Sequence, residues 1–208
     1  MLKMSITIMS RFPYPENPAL TDAPLLDPIK RRWSPLAFSS EPIESEKITT
    51  LFEALRWTQS SRNEQPWRII YATKENPKEF KTLSSLLEEG NEYASEAYLL
   101  LLASALPKYE YKDKQNYTHQ YDVGAAMHAM FLQAVALDLV AHQMEGFDKE
   151  AAHTKLGVPT EVVPMAMMAI GYPGDESKID QEKLKKRYEQ HRQRRPLAET
   201  VFKGKWQG

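Results

Sequence analysis

Basic residues gather in two short stretches of this chain. The first is Lys30, Arg31 and Arg32, closely followed by Ser34. The second lies within residues 178–195, which carry eight Lys or Arg residues against three acidic ones. A guanidinium group presents paired donors to phosphate oxygens, and a serine hydroxyl adds another donor. Both stretches are therefore candidate phosphate ligands, although charge runs of this kind also occur on solvated helix faces.

A third polar cluster stands at the mouth of an apolar run. Residues 60–70 read SSRNEQPWRII, so six hydrogen-bonding residues precede Pro66 and the apolar segment that starts at Trp67. One interpretation is a simple turn, in which polar side chains bond their own backbone and proline ends the preceding helix. The other is that these side chains line the site of a polar, planar ligand.

Composition and motifs exclude several classes of function. The chain of 208 residues contains no cysteine, which removes disulfides, thiolate nucleophiles and thiolate metal sites and suits a reducing cytoplasm. Its formal net charge of −1 favours neither nucleic acid nor an acidic membrane surface as a partner. Neither a GxxxxGK[ST] nor a GxGxxG motif occurs, so a P-loop and a standard dinucleotide fold are both unsupported.

Hydrophobic periodicity predicts helices and strands in mixed order. Residues 1–20 should be irregular, since prolines recur between Pro13 and Pro18. Ser45 is expected to cap the second helix. Without regular strand–helix alternation, the order predicts an α+β fold. Helices are predicted over 22–32, from Ser45 onward, 77–88, 118–137, 147–157 and 179–191, and strands over 67–73, 97–106, 138–143 and 163–173. The leucines of 97–106 leave a helix open there.

The predicted helix 118–137 is apolar on nearly every side, so more than one face of it should be buried. It is either a central core helix or the contact surface with a second copy of the chain, and we favour the second. The N-terminus is a poor secretory signal, and the apolar runs fall short of the ~20 residues of a membrane span. We expect a soluble cytoplasmic protein whose single domain covers 21–208 after an extension, 1–20.

Five stretches, in order, carry a resemblance to the nitroreductase family of flavin enzymes. The similarity spans residues 24–208. The stretches are RRWSPLAF (31–38), SSRNEQPWRIIY (60–71), GNEYA (90–94), HQMEGFD (142–148) and RQRRPLAETV (192–201).

The resemblance implies a homodimer with an antiparallel-dominated sheet flanked by helices. Two FMN molecules would bind at the subunit interface, helix 118–137 would form that interface, and the C-terminal arm would be swapped onto the partner. The implied cofactor-binding residues are Arg32, Trp33, Ser34, Ser60, Ser61, Asn63, Gln65, Asn91, Glu145, Gly146, Arg192 and Arg194.

Position in the family pattern also implies roles. Arg192 and Arg194 match the pair that clamps the FMN phosphate, and Arg32 and Ser34 match phosphate and pyrimidine-edge contacts. Arg32 is also the candidate cation near N1 and O2 of the ring. Residues 60–65 match groups that reach the flavin, often from the other subunit. Asn91 matches a residue at the edge of the isoalloxazine ring, and the 145–146 turn should direct backbone N–H groups at N5 and O4 of that ring.

The implied activity passes hydride from NADH or NADPH through flavin N5 to a nitroaromatic or quinone, in ping-pong order. No side chain need be catalytic, and His142 is interpreted as a structural residue. Alternatives are a flavin enzyme for a dedicated metabolite, by dehydrogenation or reductive removal of a substituent, and a non-catalytic FMN-binding protein. Two residues depart from the family pattern. Leu36 stands where a cation is frequent, and Arg62 either lies in solvent or contacts a nucleotide phosphate.

Overall fold

A computed structural model describes residues 13–190 and 192–207, and its centre is an antiparallel sheet. Strand β7 (Val163–Pro173) pairs with β1 (Phe38–Ser39), β3 (Leu99–Ala105) and β6 (Val140–Met144). Strand β2 (Trp67–Thr73) pairs with β3 along its full length, from Trp67 opposite Ala105 to Thr73 opposite Leu99. A separate short hairpin joins β4 (Lys108–Tyr109) to β5 (Lys114–Gln115).

The leucine run of β3 is continuous because both faces of the sheet are covered. Successive strand side chains point to opposite faces. Leu99 and Leu101 accordingly belong to one core cluster, with Met130 of the long helix, whereas Leu100 and Leu102 belong to a second cluster. Every residue of β3 is buried. This central strand fixes the two layers between which the rest of the chain packs.

Six α-helices of the described residues complete the fold. The pair α2 and α4 packs together over one face of the sheet, and α3 packs against β2, β3 and α5 on the other. The helices are α1 (Asp27–Arg31), α2 (Ser45–Arg56), α3 (Pro77–Ser84), α4 (His119–Ala136), α5 (Lys149–Leu156) and α6 (Gln181–Gln190).

Helix α4 is two-sided. Met127 and Met130 lie on its buried face, while Gly124 and His128 are exposed on its outer face, between half-buried alanines. The sequence favoured contact with a second copy over a central core position. In a single chain, α4 packs on the core along one side, and its open side carries Tyr121, Gly124 and His128.

The predicted elements match the structure in kind, and the α+β fold is confirmed. Strands 67–73 and 163–173 have the predicted bounds, and 97–106 is a strand rather than a helix. One prediction was wrong. Ser45 does not cap α2, since it is the first helical residue and Glu44 occupies the cap position without a side-chain hydrogen bond. The β4–β5 hairpin was not foreseen.

The C-terminal segment after α6 leaves large apolar side chains in solvent. Leu197 is 77% exposed, Val201 66% and Trp206 80%. Apart from a short 3-10 turn at Leu197–Glu199, residues 192–207 form no helix or strand. The expected swap of this arm onto a partner stays a prediction. The predicted irregularity of 1–20 is seen for 13–20, and its remainder lies outside the described residues.

Candidate functional site: an arginine cluster and a glycine turn

The two basic stretches of the sequence come together in space. Arg192 donates from Nη1 to the carbonyl oxygen of Arg32 at 2.5 Å and from Nη2 to that of Lys30 at 2.8 Å. These bonds fasten the chain after α6 to the end of α1. The Arg32 guanidinium lies over the ring of Phe131 on α4, 5.2 Å from its centroid. Residues 160 positions apart thus share one cationic surface.

Repulsion between the guanidinium groups is visible in their pKa values. Burial, and then the charge of Arg194, lowers the pKa of Arg32. Burial lowers the pKa of Arg192 as well, followed by the charges of Arg32 and Arg194. Like charges that are brought together and partly removed from water disfavour one another, so this cluster would be relieved by an anion.

A hydrogen-bond donor without a partner also indicates that this cluster binds an anion. Among the described residues, the buried Nε of Arg192 has no hydrogen-bond partner, although both of its terminal nitrogens are satisfied. Buried polar atoms are rarely left unpaired, and each such atom carries a penalty of about 1–3 kcal/mol. The donor set is three guanidinium groups, which suits a phosphate. The residues present therefore fit the phosphate of FMN.

Trp33 and Ser34, the residues that follow Arg32, differ in their exposure. The indole of Trp33 is 1% exposed, donates from Nε1 to the Pro15 carbonyl at 2.9 Å and packs 4.7 Å from the Tyr188 ring. A cofactor contact from Trp33 would have to come through its backbone. Ser34 is half-buried beside it. Leu36, which stands where the family often has a cation, is 1% exposed and belongs to the core.

The polar stretch 60–65 forms a strained loop. Arg62, Asn63 and Gln65 have φ values of 56°, 56° and 52°. This left-handed region is disfavoured for residues with a Cβ, least for asparagine. Such conformations persist where surrounding contacts hold them, and they concentrate at functional sites.

Side chains of the loop hold its own backbone in place. Ser60 Oγ accepts the Gln65 N–H at 2.9 Å, and Gln65 Nε2 donates to the Asn63 carbonyl at 3.1 Å. The Ser61 N–H donates to the buried carboxylate of Asp122 on α4 at 3.1 Å. The turn interpretation is thus correct for part of the stretch, and the exposed side chain of Asn63 remains accessible to a ligand.

The β4–β5 hairpin supports the other side of this loop. Ser61 Oγ lies 3.2 Å from Tyr109 Oη, and the Arg62 guanidinium donates to Tyr111 Oη at 3.1 Å. Glu64 accepts the Glu110 N–H at 2.6 Å. Arg62 is exposed, as favoured from the sequence, but it contacts two tyrosines rather than solvent alone.

The glycine turn after β6 is joined to the GNEYA stretch. Asn91 Nδ2 donates to the Gly146 carbonyl at 2.9 Å, and the Glu88 N–H donates to the same oxygen at 3.3 Å. A Cβ on Gly146 would lie 2.8 Å from Asn91 Nδ2, so glycine is required for this close approach. Among the described residues, the Gly146 N–H has no acceptor, and Gly146 is half-buried.

Glu145 points away from the turn. Its carboxylate pairs with Lys149 Nζ at 2.7 Å, and this contact lowers the pKa of Glu145. The structure thus shows the Glu145 side chain in a salt bridge. A ligand contact at Glu145 would come from its backbone.

His142 lies between two of the predicted segments. It is 5% exposed, and its Nδ1 is 2.9 Å from the Pro35 carbonyl. The Tyr93 hydroxyl lies 3.2 Å from Nδ1 and 3.1 Å from Nε2, and burial raises the pKa of Tyr93. These contacts join the ends of RRWSP and GNEYA to β6. They fit the structural role expected for His142.

Within one chain, the predicted residues form two groups and a separate loop. The arginines form one group, and Asn91 with Gly146 forms the other. Loop 60–65 touches α4 at Asp122, whereas Arg32 touches it at Phe131. Nine helical residues span about 13 Å along the axis, so the loop and Arg32 contact α4 at points about 13 Å apart. The sequence interpretation missed Asp122, although a lone acid inside an apolar helix was a usable signal.

The described residues contain no helix that is both long and apolar enough to cross a membrane. Within 13–190 and 192–207, no group of three His, Cys, Asp or Glu residues could hold a metal ion.

The fold is α+β with an antiparallel sheet, and a cluster of arginines lies beside helices α1 and α4. Comparison with known proteins gives its relatives. The nitroreductase family model matches residues 91–172. A crystal structure described as an oxidoreductase containing FMN is 31% identical, covers 93% of this chain and 98% of its own, and superposes with a TM-score of 0.85. The chain therefore belongs to the nitroreductase family.

The chain is also similar to two further proteins. An uncharacterized 15.4 kDa protein of Mycolicibacterium smegmatis is 38% identical over 130 residues, which is 61% of this chain and 84% of that protein. A nitroreductase family protein from Clostridium difficile 630 is 22% identical, covers 88% of this chain and all of its own, and has a TM-score of 0.67. The second likeness supports the fold alone.

Proposed function

We propose that this chain is an FMN-dependent oxidoreductase that takes electrons from NADH or NADPH and reduces a nitroaromatic or quinone. The observation that carries the proposal is the arginine cluster, in which a buried Arg192 Nε lacks a partner among the described residues. The family assignment and the related oxidoreductase that contains FMN support the choice of cofactor. When bound, FMN would accept hydride at N5 and return two electrons to an acceptor, in ping-pong order.

The protein's part in this reaction is to hold and orient. Arg32, Arg192 and Arg194 would bind the phosphate through charge-assisted hydrogen bonds. The unpaired N–H of Gly146 would donate to the ring edge, and Asn91 keeps that glycine in place through its carbonyl. The missing Cβ of Gly146 allows the ring to approach the backbone.

Loop 60–65 would form a second wall of the cofactor site. Its strained backbone is fixed from two sides, by Asp122 and by the β4–β5 hairpin, so its outward groups are held in position before any ligand binds. Since the loop and Arg32 of one chain contact α4 at points about 13 Å apart, we propose that the loop serves the cofactor of a second chain.

The same proposal includes a homodimer. Gly124 on the open side of α4 leaves room for close helix packing, and Leu197 and Val201 are 77% and 66% exposed in one chain. We propose that α4 forms the interface and that the C-terminal segment extends over the partner. We also propose a single domain over 21–208 and a cytoplasmic location, consistent with the absence of cysteine.

The phosphate clamp can be tested with two neighbouring arginines. The charge of Arg194 acts on both Arg32 and Arg192, whereas Arg195 is exposed and does not appear among their charged neighbours. Arg194→Ala should release FMN or weaken its binding about tenfold or more, through loss of one charged contact. Arg195→Ala should retain FMN, which serves as the matched control.

Flavin content after gel filtration and fluorescence titration of the apoprotein would measure both variants. Equal FMN affinity in Arg194→Ala and the unmodified protein would remove the clamp role. Oxidation of NADH or NADPH by the FMN-loaded protein, with a quinone as acceptor, separates an enzyme from a protein that only binds FMN.

A further inference from the structure

Residues 13–19 precede the segment that resembles the family, yet they are fastened to the arginine cluster. The Ala19 N–H donates to the Lys30 carbonyl at 2.9 Å, which also accepts from Arg192. Trp33 Nε1 donates to the Pro15 carbonyl at 2.9 Å. Three prolines stiffen this stretch, because each fixes its own φ. The segment is thus held against α1 at its middle and at its end.

Tyr14 is the residue that this arrangement brings to the arginines. Its ring lies under the Arg31 guanidinium, 4.9 Å from ring centroid to Cζ. Burial raises the pKa of Tyr14, and the neighbouring Trp33 backbone, followed by the charges of Arg32, Arg31 and Arg192, opposes that shift. The phenol therefore keeps its proton and remains a hydrogen-bond donor within reach of the cationic field.

Unsatisfied polar atoms concentrate at this place. Among the described residues, five buried side-chain polar atoms lack a hydrogen-bond partner, and three of them belong to Tyr14, Asn17 and Arg192. Tyr14 and Asn17 also line one cleft with Lys30 and Arg31. Unpaired buried donors each carry a penalty, and an acceptor that binds beside the cationic cluster would relieve it.

We propose that Tyr14 donates a hydrogen bond from its hydroxyl to the phosphate monoester held by Arg32, Arg192 and Arg194. The N-terminal segment then acts as a strap that closes the phosphate site with a neutral donor. This inference rests on the proposed function, since it identifies the phosphate as that of FMN. A neutral donor suits this position because a fourth cation would add to the repulsion among the arginines.

The test compares FMN with riboflavin, which has the same ring but no phosphate. Apoprotein of the full chain would be titrated with each flavin by fluorescence, in the unmodified form and as Tyr14→Phe. The variant keeps the ring that packs under Arg31 and removes only the hydroxyl. The Kd for FMN should rise about tenfold, the loss of one hydrogen bond to a charged group, while the Kd for riboflavin stays unchanged.

Tyr71→Phe is the matched control, because Tyr71 is 51% exposed on β2 and packs against Phe52 away from the arginines. It should change neither affinity. Equal weakening of both flavins by Tyr14→Phe would mean that Tyr14 acts through packing, and this would overturn the proposal. Unchanged FMN affinity would overturn it too, as would a rise confined to the KM for NADPH, whose 2′-phosphate would then be the anion.

A second readout keeps the inference separate from the cofactor assignment. If the unmodified protein bound neither flavin, the proposed function would fail. Inorganic phosphate would then be tested for its effect on Tm, against chloride at equal ionic strength. A phosphate-induced rise that shrinks in Tyr14→Phe would support the hydroxyl as a phosphate donor, and an equal rise in both proteins would overturn it.

Discussion

Replacing Gly146 by alanine would place a Cβ 2.8 Å from Asn91 Nδ2 and 3.3 Å from Glu88 Oε2. The first distance is too short, so the Asn91 amide must turn away and lose its 2.9 Å bond to the Gly146 carbonyl. One such bond contributes about 1 kcal/mol. The φ of Gly146 is not in the left-handed region, so alanine can adopt the same backbone conformation. Because alanine restricts the unfolded chain, it adds about 0.5 kcal/mol to the free energy of unfolding.

Gly146→Ala should therefore lower the free energy of unfolding by about 0.5 kcal/mol. In an Asn91→Ala background the bond is already absent and the nearest remaining atom is the flexible end of Glu88. The same substitution should then stabilise the protein by about 0.5 kcal/mol.

Urea unfolding of the unmodified protein, both single variants and the double variant, without FMN, measures the coupling between the two positions. We expect about 1 kcal/mol. Additive effects, within about 0.3 kcal/mol, would refute the reasoning that Asn91 is displaced. Repeating the series with FMN tests the turn as a ring contact, since Gly146→Ala should then also reduce the stabilisation that FMN provides.

Three further predictions concern the elements around the site. Asp122→Ala leaves the Ser61 N–H unpaired and should lower the free energy of unfolding by about 2 kcal/mol in urea, whereas Asp122→Asn, which keeps an acceptor, should lower it less. An equal loss in both would contradict the account. Gly124→Ala meets open space in one chain and should stabilise α4 by up to ~1 kcal/mol while weakening dimerisation in sedimentation; unchanged association would remove α4 from the interface. The Tyr172 hydroxyl lowers the pKa of Glu44, so this contact stabilises the fold above pH 4.5 and its contribution disappears as pH falls through the lowered pKa. The stability difference between the protein and Tyr172→Phe should shrink over that range, by about 0.5 kcal/mol or less because Glu44 is 60% exposed, and a pH-independent difference would contradict this assignment.

The strands were predictable where local chemistry decides them. Pro66 sets the start of β2, and the continuous burial of β3 required only that a leucine run be covered on both faces. The start of α2 was correct but its cap was not, because the helix includes Ser45 rather than beginning after it. Boundaries of this kind differ by one residue and depend on backbone geometry that side-chain preference does not determine.

Loop 60–65 could not be predicted in the same way. Nothing in the side chains of Arg62 or Gln65 favours a left-handed backbone, and the contacts that hold it come from Asp122 and Tyr109, far along the chain. The hairpin that carries Tyr109 is short, charged and exposed, and it lacks the apolar alternation of a strand. Long-range contacts of this sort leave no local pattern.

The two basic stretches of the sequence indicated a phosphate ligand. Only the resemblance to the family indicated which arginines would lie together at that ligand. The structure adds the physical links, namely the bonds of Arg192 to the carbonyls of Lys30 and Arg32. Apart from the neighbouring prolines, nothing in the sequence around Tyr14 indicated a role for it. Its position beside the arginines arises only when residues 13–19 fold back onto the chain.

The central claim is that this protein carries FMN and reduces it with a pyridine nucleotide. An absorption spectrum of the purified protein, followed by anaerobic addition of NADH and then NADPH, tests it directly. The account predicts flavin bands close to those of free FMN that bleach with at least one nucleotide. A colourless protein that also fails to take up added FMN would contradict it.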